Sequence, residues 1–332
     1  MTNHFPSTRL RRNRKDNWSR RLVAESKLTT DDLIMPLFII EGSSKKIEVE
    51  SMPGTFRYTL DELVRVVEDV HKLSVPLVAL FPCLENNLKT HDGSEALNQH
   101  GLIPRAIKKI KNAVPEIGIM TDIALDPYTT HGQDGLIDKS GYVLNDETNQ
   151  VLCQQAKIYA EAGTDIVAPS DMMDGRIGRI RNELENHSFV NTKIMAYTAK
   201  YASSFYGPFR DAVNSKLNKT GYDKKQYQMD MANKKEALRE AELDLFEGAD
   251  MLLVKPGLPY LDILENIKSY FNVPTFAYQV SGEYSMIKAA SKQGWINEKD
   301  CVLESLSCFK RAGADGIVTY FAEKTARWLQ MN

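Results

Sequence analysis

The sequence predicts a (β/α)8 barrel preceded by an extended N-terminal arm. Three observations indicate this fold class: the chain has 332 residues, apolar runs alternate with amphipathic segments, and one short turn motif recurs. A single barrel of this type routinely needs a chain of this length. We therefore divide the sequence into an arm at 1–30 and a barrel domain at 31–332.

Eight short runs rich in β-branched and other apolar residues are spaced along the chain. Their nearly continuous apolar character is typical of strands that are buried on both faces, as a parallel sheet requires. The predicted strands are 33–40, 77–81, 117–123, 165–169, 193–199, 251–254, 275–280 and 316–321.

The segments between these runs repeat apolar residues with the 3.6-residue period of a helix. Segment 59–73 is the clearest, and Thr59 followed by Glu62 predicts a capping box at its start. Segments 146–162 and 234–247 show the same pattern. Regular alternation of strand and helix favours a parallel barrel.

A recurring turn supports this alternation. Its copies at 161–167, 247–254 and 311–318 each place a glycine at the end of a helix, then an aspartate, then the next strand. Glycine readily adopts the left-handed conformation that ends many helices. The three copies therefore predict the same helix-to-strand connection at three positions around the barrel.

The composition excludes several classes of protein. Hydrophobic residues are 42%, charged residues are 26% and the net charge is −2, as in a globular chain and unlike a disordered one. The longest strictly apolar stretch, 33–40, is far shorter than the ~20 residues of a membrane helix. Cys83, Cys153, Cys301 and Cys308 lack the spacing of a metal or redox motif, so we expect reduced thiols in the cytoplasm.

The first 30 residues are strongly basic, with eight lysines and arginines against Asp16 and Glu25. No apolar segment follows them, which argues against a secretory signal. Contact with nucleic acid is one interpretation, but Trp18 is the only aromatic residue within the basic run. We favour a polar arm that lies on a partner subunit or in solvent.

Two long segments interrupt the alternation. Segment 125–141 is a loop rich in glycine, aspartate and threonine, and segment 201–233 is rich in tyrosine, phenylalanine, serine, lysine and glutamine. Connections of this length are typically functional lids or disordered. The aromatic content of 201–233 favours a lid.

Lys200 and Lys255 each follow an apolar run directly. Chemistry in barrels gathers at the C-terminal ends of the strands, so these amines should meet on neighbouring strands. Burial and a second cation each lower the pKa of a lysine, and a neutral lysine attacks carbonyls to form Schiff bases. A single lysine of this kind is more simply interpreted as a solvated charge at the rim of the barrel. Two such lysines beside an aromatic lid favour a catalytic role, with both amines uncharged.

Other polar residues are placed where they can bind an acidic substrate. Arg210 in the lid is suited to bidentate binding of a carboxylate, and Lys224 and Gln228 can assist it. Ser281 and Tyr320 follow the last two runs and can donate hydroxyl hydrogen bonds to a second carboxylate. Each of these residues alone has the plainer interpretation of a solvated or satisfied polar group.

Three aspartates lie at the end of the third run and in the loop that follows it: Asp122, Asp126 and Asp134. Their hard oxygen atoms suit Mg²⁺ better than zinc. They are equally suited to binding a substrate ammonium or transferring protons. The sequence lacks the glycine motifs that bind phosphates, so nucleotide binding has no support.

Long motifs between about residues 9 and 329 resemble the 5-aminolevulinate dehydratase (porphobilinogen synthase) family. They include VAPSDMMDGR at 167–176, AKYASSFYGPFR at 199–210, VKPG at 254–257 and YQVSGEY at 278–284. The resemblance implies a lyase that condenses two 5-aminolevulinate molecules into porphobilinogen with loss of two waters, early in haem biosynthesis. It also implies a homo-octamer in which the arms wrap neighbouring subunits.

The resemblance also implies roles for individual residues. Lys255 would form a Schiff base with the first substrate, and Lys200 would handle the second, again as a Schiff base. The substrate carboxylates would be held by Ser281 and Tyr320 for the first molecule and by Arg210, Lys224 and Gln228 for the second.

Three positions depart from the zinc-using members of the family. Where those members carry cysteines, this sequence has Ala124, Asp126 and Asp134. The substitution implies the aspartate-rich, zinc-independent class, with no catalytic zinc. Members of that class are stimulated by Mg²⁺ at a peripheral site, where Glu240 matches the ligand position.

Two other functions remain open from the sequence. A class I aldolase-like barrel also uses a strand-end lysine, but it needs one where this chain has two. A barrel-shaped scaffold whose arm contacts nucleic acid would leave the lid and both lysines without a role.

Overall fold

The computed structural model describes residues 4–214 and 223–331. Eight parallel strands close into a barrel there, because the last strand pairs with the first. This confirms the predicted fold class. Of the following strands, β2 and β3 lie outside the barrel: β1 (Leu33–Ile39), β2 (Lys46–Glu48), β3 (Phe56–Tyr58), β4 (Leu77–Pro82), β5 (Gly118–Ile123), β6 (Ile166–Pro169), β7 (Lys193–Lys200), β8 (Met251–Lys255), β9 (Thr275–Gln279) and β10 (Gly316–Thr319).

Helices connect the barrel strands and pack around them, while two short ones lie in the arm. The helices of the described residues are α1 (Arg12–Lys15), α2 (Asn17–Leu22), α3 (Leu60–Lys72), α4 (Leu102–Ala113), α5 (Asn145–Ala162), α6 (Arg176–Asn186), α7 (Gly207–Ala212), α8 (Lys235–Phe246), α9 (Leu261–Phe271), α10 (Ser281–Lys292), α11 (Glu298–Arg311) and α12 (Ala322–Gln330).

Each predicted strand matches a barrel strand to within two residues at either end. The sequence did not predict the hairpin of β2 and β3, whose second strand pairs with the end of β1 through Phe38 and Arg57. Strand β2 is exposed throughout, so it lacks the apolar pattern that marks a buried strand.

The recurring turn forms as predicted. Gly163, Gly248 and Gly313 have φ angles of 105°, 101° and 98°, in the left-handed region. The aspartate that follows each glycine fastens the turn to the preceding barrel strand. Its carboxylate accepts a backbone hydrogen bond of 2.7 Å from that strand, in the pairs Ile119 with Asp165, Ile194 with Asp250, and Thr275 with Asp315.

The capping box predicted at the start of α3 is wrong, although Thr59 does precede the helix. The Thr59 hydroxyl donates to Asp61 Oδ1 at 2.7 Å, and its oxygen accepts from Lys45 N at 3.1 Å. Glu62 pairs instead with Arg65 at 2.6 Å. A chain segment distant in sequence therefore takes the hydroxyl that the helix would have used.

The basic arm carries helices α1 and α2 and exposes large apolar side chains. Phe5, Leu10, Trp18 and Leu22 are 64–76% exposed. The four cysteines are free thiols, as predicted. Among the helices of the described residues, none combines the length and the apolar character needed to cross a membrane.

Candidate active site

Lys200 and Lys255 are the last residues of β7 and β8 and are direct Cα partners in the pairing of these strands. Their side chains are almost completely buried, with relative exposures of 6% and 7%. The prediction that the two lysines lie side by side at the C-terminal end of the barrel is therefore confirmed.

Four aromatic rings surround the amine of Lys255. Its Nζ lies 5.1 Å from the ring centroid of Tyr197, 5.3 Å from Tyr206, 5.2 Å from Phe209 and 4.7 Å from Tyr278. We call these four residues the ring cluster. Aromatic faces attract a cation but accept no ordinary hydrogen bond from it. Within residues 4–214 and 223–331, Lys255 Nζ has neither a hydrogen bond nor an ion pair.

These surroundings depress the pKa of Lys255 from 10.5 to about 7. Burial is the largest cause, because it penalises the charged ammonium, and the positive charge of Lys200 adds to it. Negative charge on Asp122, Asp126 and Asp134 opposes both effects. A large fraction of the Lys255 amines is therefore uncharged at neutral pH.

Lys200 has very different contacts. Its Nζ donates to Asp134 Oδ2 at 2.9 Å and to the carbonyl oxygen of Ser170. Asp134 is fully buried, and it also accepts from Lys224 Nζ at 2.5 Å and from Gln228 Nε2 at 3.5 Å. We expected both strand-end amines to be uncharged. The ion pair with a buried carboxylate favours the charged ammonium at Lys200, against this expectation.

The three predicted aspartates differ in their electrostatics. Burial by itself would raise the pKa of Asp134, but Lys200 and Lys224 outweigh it and hold the pKa at about 2. Burial, reinforced by the charge of Asp126, raises the pKa of Asp122 to about 6. Asp126 lies 3.5 Å from Lys224 Nζ. Asp122 can thus exchange a proton near neutral pH.

Part of the predicted lid covers the lysines. Helix α7 places Phe209 in the ring cluster, while residues 215–222 of the lid lie outside the described residues. Ser281 holds this segment from below: its hydroxyl accepts from Phe209 N at 2.9 Å and donates to the Phe205 carbonyl oxygen at 3.3 Å.

The end of α7 is fastened by Arg57, which lies in strand β3 of the unpredicted hairpin. The guanidinium donates to the carbonyl oxygens of Asp211 at 2.7 Å and Ala212 at 2.6 Å. These are carbonyls of the last turn, which have no partner within the helix. Ser51 adds a hydrogen bond to the Asp211 carboxylate at 2.7 Å.

The residues predicted to bind carboxylates lie on the same face of the barrel, but they differ in whether other side chains already occupy their polar groups. Arg210, on α7, is half-buried and has no hydrogen bond or ion pair to any described residue. The Tyr320 hydroxyl lies 3.0 Å from the Tyr278 hydroxyl, and its ring stacks on Phe38. Lys224 and Gln228 are occupied by Asp134, as described above.

Glu240 lies apart from the two lysines. It belongs to α8 and contacts Arg176, whose Nη1 is 3.2 Å from Glu240 Oε1 and 3.0 Å from Asp244 Oδ1. Glu240 also lines a cavity of about 230 Å³ with Asp174 and other polar residues. Among the described residues, no three histidine, cysteine, aspartate or glutamate side chains are grouped to hold a metal ion.

Sequence reasoning did not identify the ring cluster, because its members come from β7, the lid and β9. It also assigned no role to Glu283. The structure shows the Glu283 carboxylate accepting backbone hydrogen bonds from Val280 at 2.7 Å, Leu258 at 2.8 Å and Gly257 at 3.3 Å. Glu283 therefore fixes the turn that follows Lys255.

A family model for delta-aminolevulinic acid dehydratase matches residues 7–328. The chain belongs to the delta-aminolevulinic acid dehydratase family. The resemblance stated from the sequence motifs is therefore confirmed at the level of the family.

Two relatives and one solved structure are similar to this chain over 91–99% of their own length. The chain is 56% identical over 322 residues to the delta-aminolevulinic acid dehydratase of Bradyrhizobium diazoefficiens, covering 97% of this chain and 91% of that protein. It is 47% identical to the dehydratase of Synechocystis sp., covering 98% and 99%. The crystal structure of the dehydratase from Toxoplasma gondii, in complex with its reaction product porphobilinogen, matches with a TM-score of 0.95 at 48% identity, covering 97% and 91%.

Proposed function

We propose that this protein condenses two molecules of 5-aminolevulinate into porphobilinogen with loss of two waters, as a lyase of porphyrin and haem biosynthesis. The observation that carries the proposal is the arrangement of the two lysines. A nucleophilic amine without a charge partner lies among aromatic rings, and an ion-paired lysine lies beside it on the next strand.

Lys255 is the proposed nucleophile toward the first substrate. Its depressed pKa supplies the free amine that attack on a ketone requires. The carbon–nitrogen bond forms as the carbonyl electron pair moves to oxygen, and that oxygen then leaves as water. The lid excludes bulk water, which favours the imine over its hydrolysis.

Lys200 is the proposed partner of the second substrate, as a second Schiff base. Because it forms an ion pair with Asp134, it must first pass a proton to a nearby group. Asp122, with a pKa near 6, is suited to carry protons between the two substrates, and Asp126 is suited to hold a free substrate amine.

Arg210 is the proposed anchor for the second substrate's carboxylate, because it is the half-buried cation of the lid without a described partner. Lys224 and Gln228 can assist only if they exchange part of their contact with Asp134. Ser281 and Tyr320 can turn their hydroxyls toward the first carboxylate, since each now makes a hydrogen bond at 3.0 Å or longer.

The zinc-independent class is part of the proposal. Lys224 Nζ lies between Asp126 and Asp134, so an ammonium group already occupies the space between these carboxylates. Ala124 offers no ligand atom. This arrangement fits poorly with a metal ion bound at these three positions.

A peripheral Mg²⁺ fits the cavity beside Glu240. Mg²⁺ keeps several waters and needs few carboxylates from the protein. Glu240, which lines this cavity, would contribute one carboxylate to the hydrated ion. The bound ion would supply positive charge that stabilises α8, and it would take no direct part in making the bonds of the product.

We propose a homo-octamer in which the arm packs against a neighbouring subunit. Apolar side chains that are 64–76% exposed on a segment of two short helices favour burial against a neighbouring subunit over contact with nucleic acid. Four free thiols favour a cytoplasmic location.

The test is pyrrole formation from 5-aminolevulinate, followed by borohydride reduction and peptide mass spectrometry. We expect pyrrole, and a reduced adduct on Lys255 and on Lys200. Activity should survive ortho-phenanthroline, fall with EDTA and return with Mg²⁺. Absence of pyrrole would contradict the proposed function, and strict dependence on zinc would contradict only the metal class.

A further inference from the structure

The hydroxyl of Tyr197 has no hydrogen-bond partner among the described residues, although the side chain is 0% exposed. Buried hydroxyls are nearly always hydrogen-bonded, because leaving one unpaired forfeits the hydrogen bonds that water would make. An unpaired buried phenol inside an active site therefore indicates a group held in place for a ligand.

A bulge in β7 aims Tyr197 at this site. The register of β7 against β8 shifts between Ala196 and Ala199. In a regular strand, side chains three positions apart face opposite sides of the sheet. The extra residue of a bulge re-aims the chain, so that Tyr197 and Lys200 both face the interior of the barrel.

The neighbours of Tyr197 are the groups of the proposed reaction. Its ring centroid is 5.1 Å from Lys255 Nζ. The charged and polar groups that act on its phenol include Asp122, Tyr320 and Tyr206. Burial is the largest influence and raises the pKa of Tyr197 well above its usual value, so the phenol keeps its proton and remains a donor.

The other two phenols of the ring cluster are already engaged. Tyr206 donates to the carbonyl oxygens of Tyr201 at 2.8 Å and Lys255 at 3.2 Å. The Tyr278 hydroxyl is paired with Tyr320. Among the phenols of the ring cluster, Tyr197 is thus the one whose hydroxyl is unpaired within the described residues.

We propose that Tyr197 is a further catalytic residue, whose hydroxyl donates a hydrogen bond to the ketone oxygen that Lys255 displaces. This inference rests on the proposed function. Once the new bond forms, the ketone oxygen is two bonds from Nζ, and the Tyr197 ring centroid lies 5.1 Å from that nitrogen. The sequence motifs around the lysines do not indicate this role.

In the step concerned, Nζ forms a bond to the ketone carbon and the carbonyl π electrons move to oxygen. A proton passes from nitrogen to that oxygen and gives a carbinolamine. The hydroxyl leaves as water with a second proton, for which Asp122 is the donor, while the nitrogen lone pair forms the C=N bond. Tyr197 stabilises the negative charge that grows on the oxygen and loses no proton.

The test uses Tyr197→Phe and 4-oxopentanoate, a keto acid with the substrate skeleton but without its amine. Samples are reduced with borohydride after timed mixing, and the adduct on Lys255 is measured by peptide mass spectrometry. We expect the adduct to form about 10- to 100-fold more slowly than in the parent protein. Its final amount after long incubation should be unchanged, because the imine no longer contains the oxygen.

Tyr159→Phe is the matched control. Tyr159 is equally buried, on α5, and its hydroxyl bonds to Tyr128 at 2.5 Å and to Gln155 at 3.2 Å. This variant should form the adduct at the parent rate and should lose thermal stability. Tyr197→Phe should be as stable as the parent or more so, because its hydroxyl contributes no bond to the fold.

Two results would overturn the role of Tyr197 alone. One is adduct formation by Tyr197→Phe at the parent rate. The other is a loss of stability in Tyr197→Phe as large as that in Tyr159→Phe, which would show that the hydroxyl has a structural partner. Absence of any Lys255 adduct in the parent protein would instead overturn the proposed function as well.

Discussion

Lys255 and Lys200 occupy equivalent places on adjacent strands, yet their surroundings differ in kind. Lys255 faces four aromatic rings and no carboxylate within ion-pair distance among the described residues. Lys200 bonds to a buried aspartate and a backbone carbonyl. The contrast shows that a strand-end lysine becomes a nucleophile because of the side chains that other elements place around its amine.

These surroundings come from distant parts of the chain. Asp134 belongs to the loop after β5, and it holds Lys200 together with Lys224 from the lid. The rings around Lys255 come from β7, the lid and β9. The asymmetry therefore depends on closure of the barrel and docking of the lid.

The largest expected effect is the loss of the Lys255 nucleophile. Lys255→Met keeps an apolar chain among the rings but removes the amine, so pyrrole formation should fall at least ~1,000-fold. Lys193→Met, at the exposed start of the neighbouring strand β7, is the control and should remain active. A Lys255→Met protein with a substantial fraction of the parent rate would show that Lys200 can serve as the first nucleophile.

The same substitution at the two lysines should change stability in opposite directions. Lys200→Met leaves the buried carboxylate of Asp134 with one cation fewer, and we expect a loss of about 2 kcal/mol in the free energy of unfolding. Lys255→Met removes an amine that lacks a partner, so its stability should be unchanged or higher. Urea unfolding measures both, and equal losses would contradict the contrast.

A smaller change should follow from Asp134→Asn. The negative charge of Asp134 holds Lys200 and raises the pKa of Lys255, so its removal should lower that pKa further. We expect the midpoint of the pH dependence of imine trapping at Lys255 to move down by about one pH unit. Asp69→Asn, on the exposed side of α3, should leave the midpoint in place. An upward shift would contradict the role of Asp134.

The smallest effect concerns the lid. Arg57→Ala removes two hydrogen bonds to the end of α7, so closure over Lys255 should weaken. We expect KM to rise by up to about tenfold with a smaller change in kcat. Arg65→Ala, an exposed arginine on α3, is the control. An unchanged KM would show that Arg57 does not fasten the lid.

The barrel and the position of its lysines could be predicted from the sequence because both depend on local patterns. Buried parallel strands appear in the sequence as apolar runs, and the residue after each run lies at the catalytic end of the barrel. The difference between the lysines could not be predicted, since Asp134 is 66 residues from Lys200 in the chain. The inward turn of Tyr197 depends on a bulge, and the apolar pattern of β7 does not reveal one.

The most direct measurement is the pH dependence of imine formation on Lys255 of the parent protein, with 4-oxopentanoate, borohydride and peptide mapping. Because the neutral amine is the nucleophile, the initial rate should rise with pH, reach half its maximum near pH 7 and then level off. A rate that continues to rise about tenfold per pH unit toward the ordinary lysine pKa of 10.5 would show that the rings and Lys200 leave this amine charged.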